Sequence, residues 1–153
     1  MNDKPAPDPE AWLLRHGAEE WIRLGLRELE RASSAFAAHN APAAAAALKR
    51  AAGMALNGAL VVARRPEWGR SFVDHLRALR EDSQAPSEVR QAAEAILSFS
   101  PGPGSPVLLR TLSREQQLLE AARTVMAHSY AIVHGGVGRA ADSSGGASDP
   151  RGP

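Results

Sequence analysis

The apolar positions of this chain recur every three or four residues, the period of a helix with one buried face. Leu14, Ala18, Trp21, Gly25, Leu29, Ala32 and Phe36 form one such stripe, which predicts a first helix over residues 9–39. A second, over 42–63, is dense in alanine, and Pro42 suits a first helical position. Ala51, Ala52, Ala55 and Ala59 carry so little bulk that a neighbouring helix can come close, inside the bundle or across a dimer interface. Gly53 and Gly58 each cost about 1 kcal/mol relative to Ala, a loss that backbone proximity would offset. The third helix, over 68–80, puts Phe72, Leu76 and Leu79 on one face. Ala85-Pro86-Ser87 opens a fourth, with Val89, Ala92, Ala93, Ile96 and Leu97 as its apolar positions. The fifth, over 113–133, starts on a capping box, in which Ser113 caps the amide of Gln116 and Gln116 reciprocates. Leu118, Ala122, Val125, Ser129 and Ile132 then make its core stripe, and Gly135-Gly136 stops it.

Between the last two helices, Pro101, Pro103 and Pro106 alternate with Gly102 and Gly104, so 98–106 admits neither helix nor central strand. A loop of that length in a compact bundle points to a functional segment. Val107-Leu108-Leu109 is the one strand-like run and is too short to found a sheet. The fold class that follows is all-α, an up-and-down bundle of four to five helices. Residues 1–9 are proline-rich without apolar periodicity and read as a flexible arm. Residues 137–153 are mostly Gly, Ser, Asp and Pro and read as a disordered tail. The bundle domain is therefore 10–136.

Composition narrows the function classes. A chain of 153 residues suits one domain and can bury roughly 70% of its unfolded surface. The absence of cysteine excludes disulfides, thiolate metal sites and a cysteine nucleophile, and fits a cytoplasmic location. With 18 Lys+Arg against 17 Asp+Glu, the net charge of +1 gives no long-range pull toward nucleic acid or anionic membranes. No apolar stretch reaches 18 residues without polar interruption, so no membrane span is expected. The acidic, proline-rich start is unlike a signal peptide. Arg23, Arg27 and Arg31 form a row on the first helix, but interleaved glutamates, with Glu28 and Arg31 as a surface pair, make it a solvated face.

Candidate chemistry is sparse. The five histidines, at 16, 39, 75, 128 and 134, show no metal-ligand spacing, and no metal or cofactor is expected. There is no phosphate loop and no nucleophile elbow. Trp21 reads as core, with Trp12 and Trp68 covering its edges. Met54 and Met126 read as gap-fillers. Asn57, if buried, needs a hydrogen-bond partner. One spacing carries chemistry: Arg123-x4-His128, the arginine to hold a phosphate and the imidazole to move a proton. Five residues on a regular helix lie about 140° apart, so a shared site needs a distorted helix or a second subunit.

That pair does not stand alone. Ala51-Ala52-x-x-Ala55-Leu56-x-x-x-Leu60, then Asp74-His75-Leu76-x-x-Leu79, then a closing helix rich in small residues over 118–133 accompany it. In these features the chain, over roughly 11–134, resembles the HEPN family, small helical bundles found in prokaryotic toxins, nucleotidyltransferase partners and RNA-cleaving effectors. It departs at Gly53, Met54 and Asn57, where the second-helix motif is commonly charged, and at Thr124, where catalytic members carry an amide or acid. No Tyr-Pro pair follows the central loop. The second and last helices offer small or apolar residues on more than one face, which predicts a homodimer through them with Ala51, Ala52, Ala55, Ala59 and Met126 at the interface. The resemblance likewise puts two copies face to face. It implies a non-catalytic interaction module, the partner of a nucleotidyltransferase. Its catalytic alternative is a metal-independent, toxin-like ribonuclease in which His128 is general acid/base and Arg123 holds the scissile phosphate of RNA. A third reading is a small-ligand pocket between helices, with Asn57 and the 98–106 loop at its mouth.

Overall fold

Alanine-rich α2 (Ala41–Val62) lies at the centre of the molecule, touched by α1 (Ala18–Ala37), α3 (Phe72–Glu81), α4 (Ser87–Ser98) and α5 (Thr111–Val133). The computed structural model describes residues 10–101 and 111–135; the arm, the tail and most of the proline-glycine loop lie outside them, as do the side chains of 111–113. Among the described residues there are five α-helices, two short 3-10 turns (Leu13–Arg15 and Pro66–Trp68) and no strand. The fold is an all-α helical bundle.

Local chemistry sets the first reversal. His39 takes a positive φ of 58°, and the Asn40 amide donates back to the Ala35 carbonyl. Asn40 then caps the next helix, its Oδ1 accepting from the Ala43 amide at 3.1 Å. With so short a link α1 folds back along α2, and two glycines let the backbones meet. A Cβ on Gly25 would stand 2.7 Å from the Ala51 carbonyl oxygen, and one on Gly58 2.7 Å from that of Ala18. Gly53 works differently, since it faces the Phe72 ring of α3. By length and composition α2 is apolar enough to cross a membrane, although its sequence is interrupted by Lys49 and Arg50. However, 67% of its most apolar window is buried inside the bundle, as for the core helix of a globular protein.

Several expectations need correction. The first helix is broken. His16 is extended (φ −131°, ψ 152°) and Gly17 is the N-cap of α1, so the helical register does not carry through to Leu14. Leu14 is accordingly 48% exposed, and Leu13 is buried in its place. The third helix starts at Phe72, not at 68: Gly69 adopts φ 79°, and Ser71 Oγ accepts from the Asp74 amide at 3.0 Å. α5 already begins at Thr111, which puts Ser113 inside the helix instead of at its cap. Glu28 is no surface residue. It is buried between Arg31 (2.6 Å) and Arg50 (2.9 Å), tying α1 to α2. Trp21 is core as expected, its Nε1 donating to the Leu13 carbonyl at 2.8 Å. Trp12 and Trp68 instead gather around His75: Trp12 stacks on its ring and the Trp68 carbonyl lies against Nδ1.

Candidate ligand cleft at one end of the bundle

Where α2 and α5 finish side by side, the chain leaves a concavity of about 420 Å³. That is within the range of roughly 300–1,000 Å³ typical of small-molecule sites. The end of α2 contributes Leu56, Ala59 and Leu60, and α5 contributes His128 and Ile132. The segment after α2 adds Arg65 and Trp68, and the α3–α4 turn adds Asp82 and Gln84.

The polar groups are fixed by the turn chemistry. Asp82 Oδ1 accepts from the Gln84 amide at 3.0 Å, which reverses the chain between α3 and α4. Its Oδ2 accepts from Arg65 Nη1 at 3.2 Å. The Arg65 guanidinium also lies over the Trp68 ring, 5.0 Å from its centroid, so the segment after α2 and the α3–α4 turn are clasped at one point. His128 projects into the same cleft, half-buried, and no described group hydrogen-bonds its imidazole. Burial holds its pKa below the ordinary imidazole value; the carboxylate of Asp82 opposes the shift and the charge of Arg65 adds to it. The ring is therefore neutral at pH 7, with one N–H and one lone pair to offer. Arg65 and Asp82 cancel in charge. The cleft is apolar-walled, its Arg65–Asp82 pair is neutral overall, and a neutral imidazole and the remaining N–H groups of Arg65 are among the hydrogen-bonding groups it offers.

Arg123 and His128 are not brought together within one chain. α5 runs unbroken from Thr111 to Val133, which keeps the two about 140° apart. Arg123 is exposed and paired with Glu120 at 3.0 Å, and the cation beside His128 is Arg65. The five residues expected at an interface all lie inside a single chain. Ala51, Ala52 and Ala55 are fully buried, and Ala59 and Met126 are 6% and 5% exposed within a single chain. Gly25 of α1 seats directly against the backbone of Ala51 and Ala55, with the end of Met126 beside it.

Asn57 is buried and has the partner that burial requires, but it does not line the cleft. Its side-chain oxygen lies 2.8 Å from His75 Nε2, while His75 Nδ1 is 3.2 Å from the Trp68 carbonyl. Both neighbouring atoms are oxygens, and a neutral ring carries one N–H. Turning the Asn57 amide so that its NH2 faces Nε2 lets Nε2 accept while Nδ1–H donates to the Trp68 carbonyl. Burial, the largest influence, lowers the His75 pKa; the Trp68 carbonyl and Asp74 oppose it. This is a structural polar pair fixing α3 to α2. Among the described residues no group of three or more His, Asp or Glu is placed to hold a metal. Comparison with protein-family models, with curated proteins and with solved structures finds no match.

Proposed function

We propose that this protein is a binding module whose end cleft takes a small, mostly apolar molecule. The observation supporting this reading is the cleft itself: a concave apolar wall against which one neutral imidazole, unpartnered among the described residues, and one partly used guanidinium converge. The HEPN likeness is compatible with such a module and does not name its ligand. A thermal-shift screen of neutral aromatic compounds tests the proposal. A binder at about one hundred times its Kd adds about 2.7 kcal/mol of stability. It should raise the Tm of the parent protein but not of Ala63→Phe, a substitution at an exposed position on the rim of the cleft. A screen without a stabiliser sensitive to that substitution removes the reading.

The ribonuclease alternative is the weaker one, because Arg123 is engaged with Glu120 and lies on another face from His128. Purified protein should leave diverse RNAs intact. Metal-free cleavage lost in His128→Ala would reinstate it.

Self-association has one observation in its favour. Leu26 and Tyr130, 49% and 55% exposed, flank one groove between α1 and α5. A homodimer built there should appear by light scattering at micromolar concentration and revert to monomer in Tyr130→Arg.

A further inference from the structure

The charge arrangement inside the cleft discriminates between ligands. Resting on the reading of the cleft as a ligand site, we propose that it selects an uncharged, largely apolar molecule bearing a carbonyl or hydroxyl group and disfavours the corresponding carboxylate. An arginine in an apolar cleft is ordinarily an anchor for anions. Here that role is already filled from within. Asp82, whose side chain is only 15% exposed, spends one oxygen on Arg65 and the other on the Gln84 amide. An incoming carboxylate that reached Arg65 would lie beside Asp82, and like charges at close quarters in a half-buried site are strongly unfavourable. A cation would meet Arg65 in the same way. A neutral carbonyl or hydroxyl oxygen meets neither penalty. It can accept from the N–H groups of Arg65 not used on Asp82, or exchange a hydrogen bond with His128, while its apolar body lies along Leu56, Leu60 and Ile132.

The test is equilibrium dialysis of the full chain near neutral pH with three probes on one ring system: 2-naphthamide, its near-isostere 2-naphthoate, and 2-naphthol. The amide and the naphthol should bind at least about tenfold more tightly than the carboxylate. Asp82→Asn keeps an oxygen for the Gln84 amide and removes the internal counter-ion of Arg65. In that variant the carboxylate should gain about tenfold or more and overtake the amide. All three probes should lose affinity in Ala63→Phe. Equal binding of amide and carboxylate by the parent protein, or an unchanged ranking in Asp82→Asn, overturns the charge selection; if Ala63→Phe still weakens binding, the cleft remains a ligand site. Failure of all three probes to bind, or binding indifferent to Ala63→Phe, overturns the cleft as a ligand site and the selection with it.

Discussion

Gly25 and Gly58 set the distance between α1 and α2 by what they lack. A methyl group at either would press on a backbone carbonyl, which cannot rotate away as a side chain can. Alanine at each position should therefore destabilise the protein by about 1–3 kcal/mol, although alanine is the better helix former by about 1 kcal/mol. Urea denaturation measures this, and an unchanged or raised midpoint would contradict the close approach. His75 and His128 make a second residue-level prediction. Burial depresses both in the folded state, so between the folded values and the ordinary 6.5 the unfolded chain binds more protons. Their contribution is fully present above about pH 6.5 and is lost as pH falls from there through the folded values. Stability measured from pH 7.5 downward should fall, and His75→Gln with His128→Gln should flatten that slope. A parent profile that is already flat would show that neither ring is held neutral. Asn57 was legible at this scale, because a polar side chain in an alanine-dense helix demands a partner; that the partner is His75 was not, since 18 residues of chain separate them.

At the scale of helices, apolar period located what was buried better than where the backbone turned. α2 and α4 lie where the alanine density and Ala85-Pro86-Ser87 place them. The breaks at His16–Gly17 and Gly69–Ser71 escaped because a stripe of apolar residues does not record a change of backbone angle within it. Glu28 escaped for the opposite reason: its surface-like spacing to Arg31 hid a second arginine supplied by α2. α5 shows that motif spacing and geometry are separable. Arg123→Ala should change stability by no more than about 0.5 kcal/mol and leave cleft binding intact, since it removes only an exposed pair with Glu120. His128→Leu should weaken binding of the neutral probes without loss of helical signal in circular dichroism. The reverse pattern, Arg123 required and His128 dispensable, would contradict the placement of the site.

For the whole molecule, the cleft is a product of assembly. Its polar members come from the segment after α2, the α3–α4 turn and α5, and no short spacing in the chain announces Arg65, Asp82 and His128 as neighbours. Arg64-Arg65-Pro66 is a legible helix ending, whereas the Asp82–Gln84 turn emerges only in the structure. The convergence of these residues was not legible in the sequence, because it needs α5 to pack beside α2. The small residues of α2 serve that packing inside one chain. The most direct measurement is an amide and indole NMR titration with 2-naphthamide. Shifts confined to Ala59, Ala63, Trp68, Gln84, His128 and Gly135 are the predicted result. Shifts absent there, or centred on Leu26 and Tyr130, would contradict it.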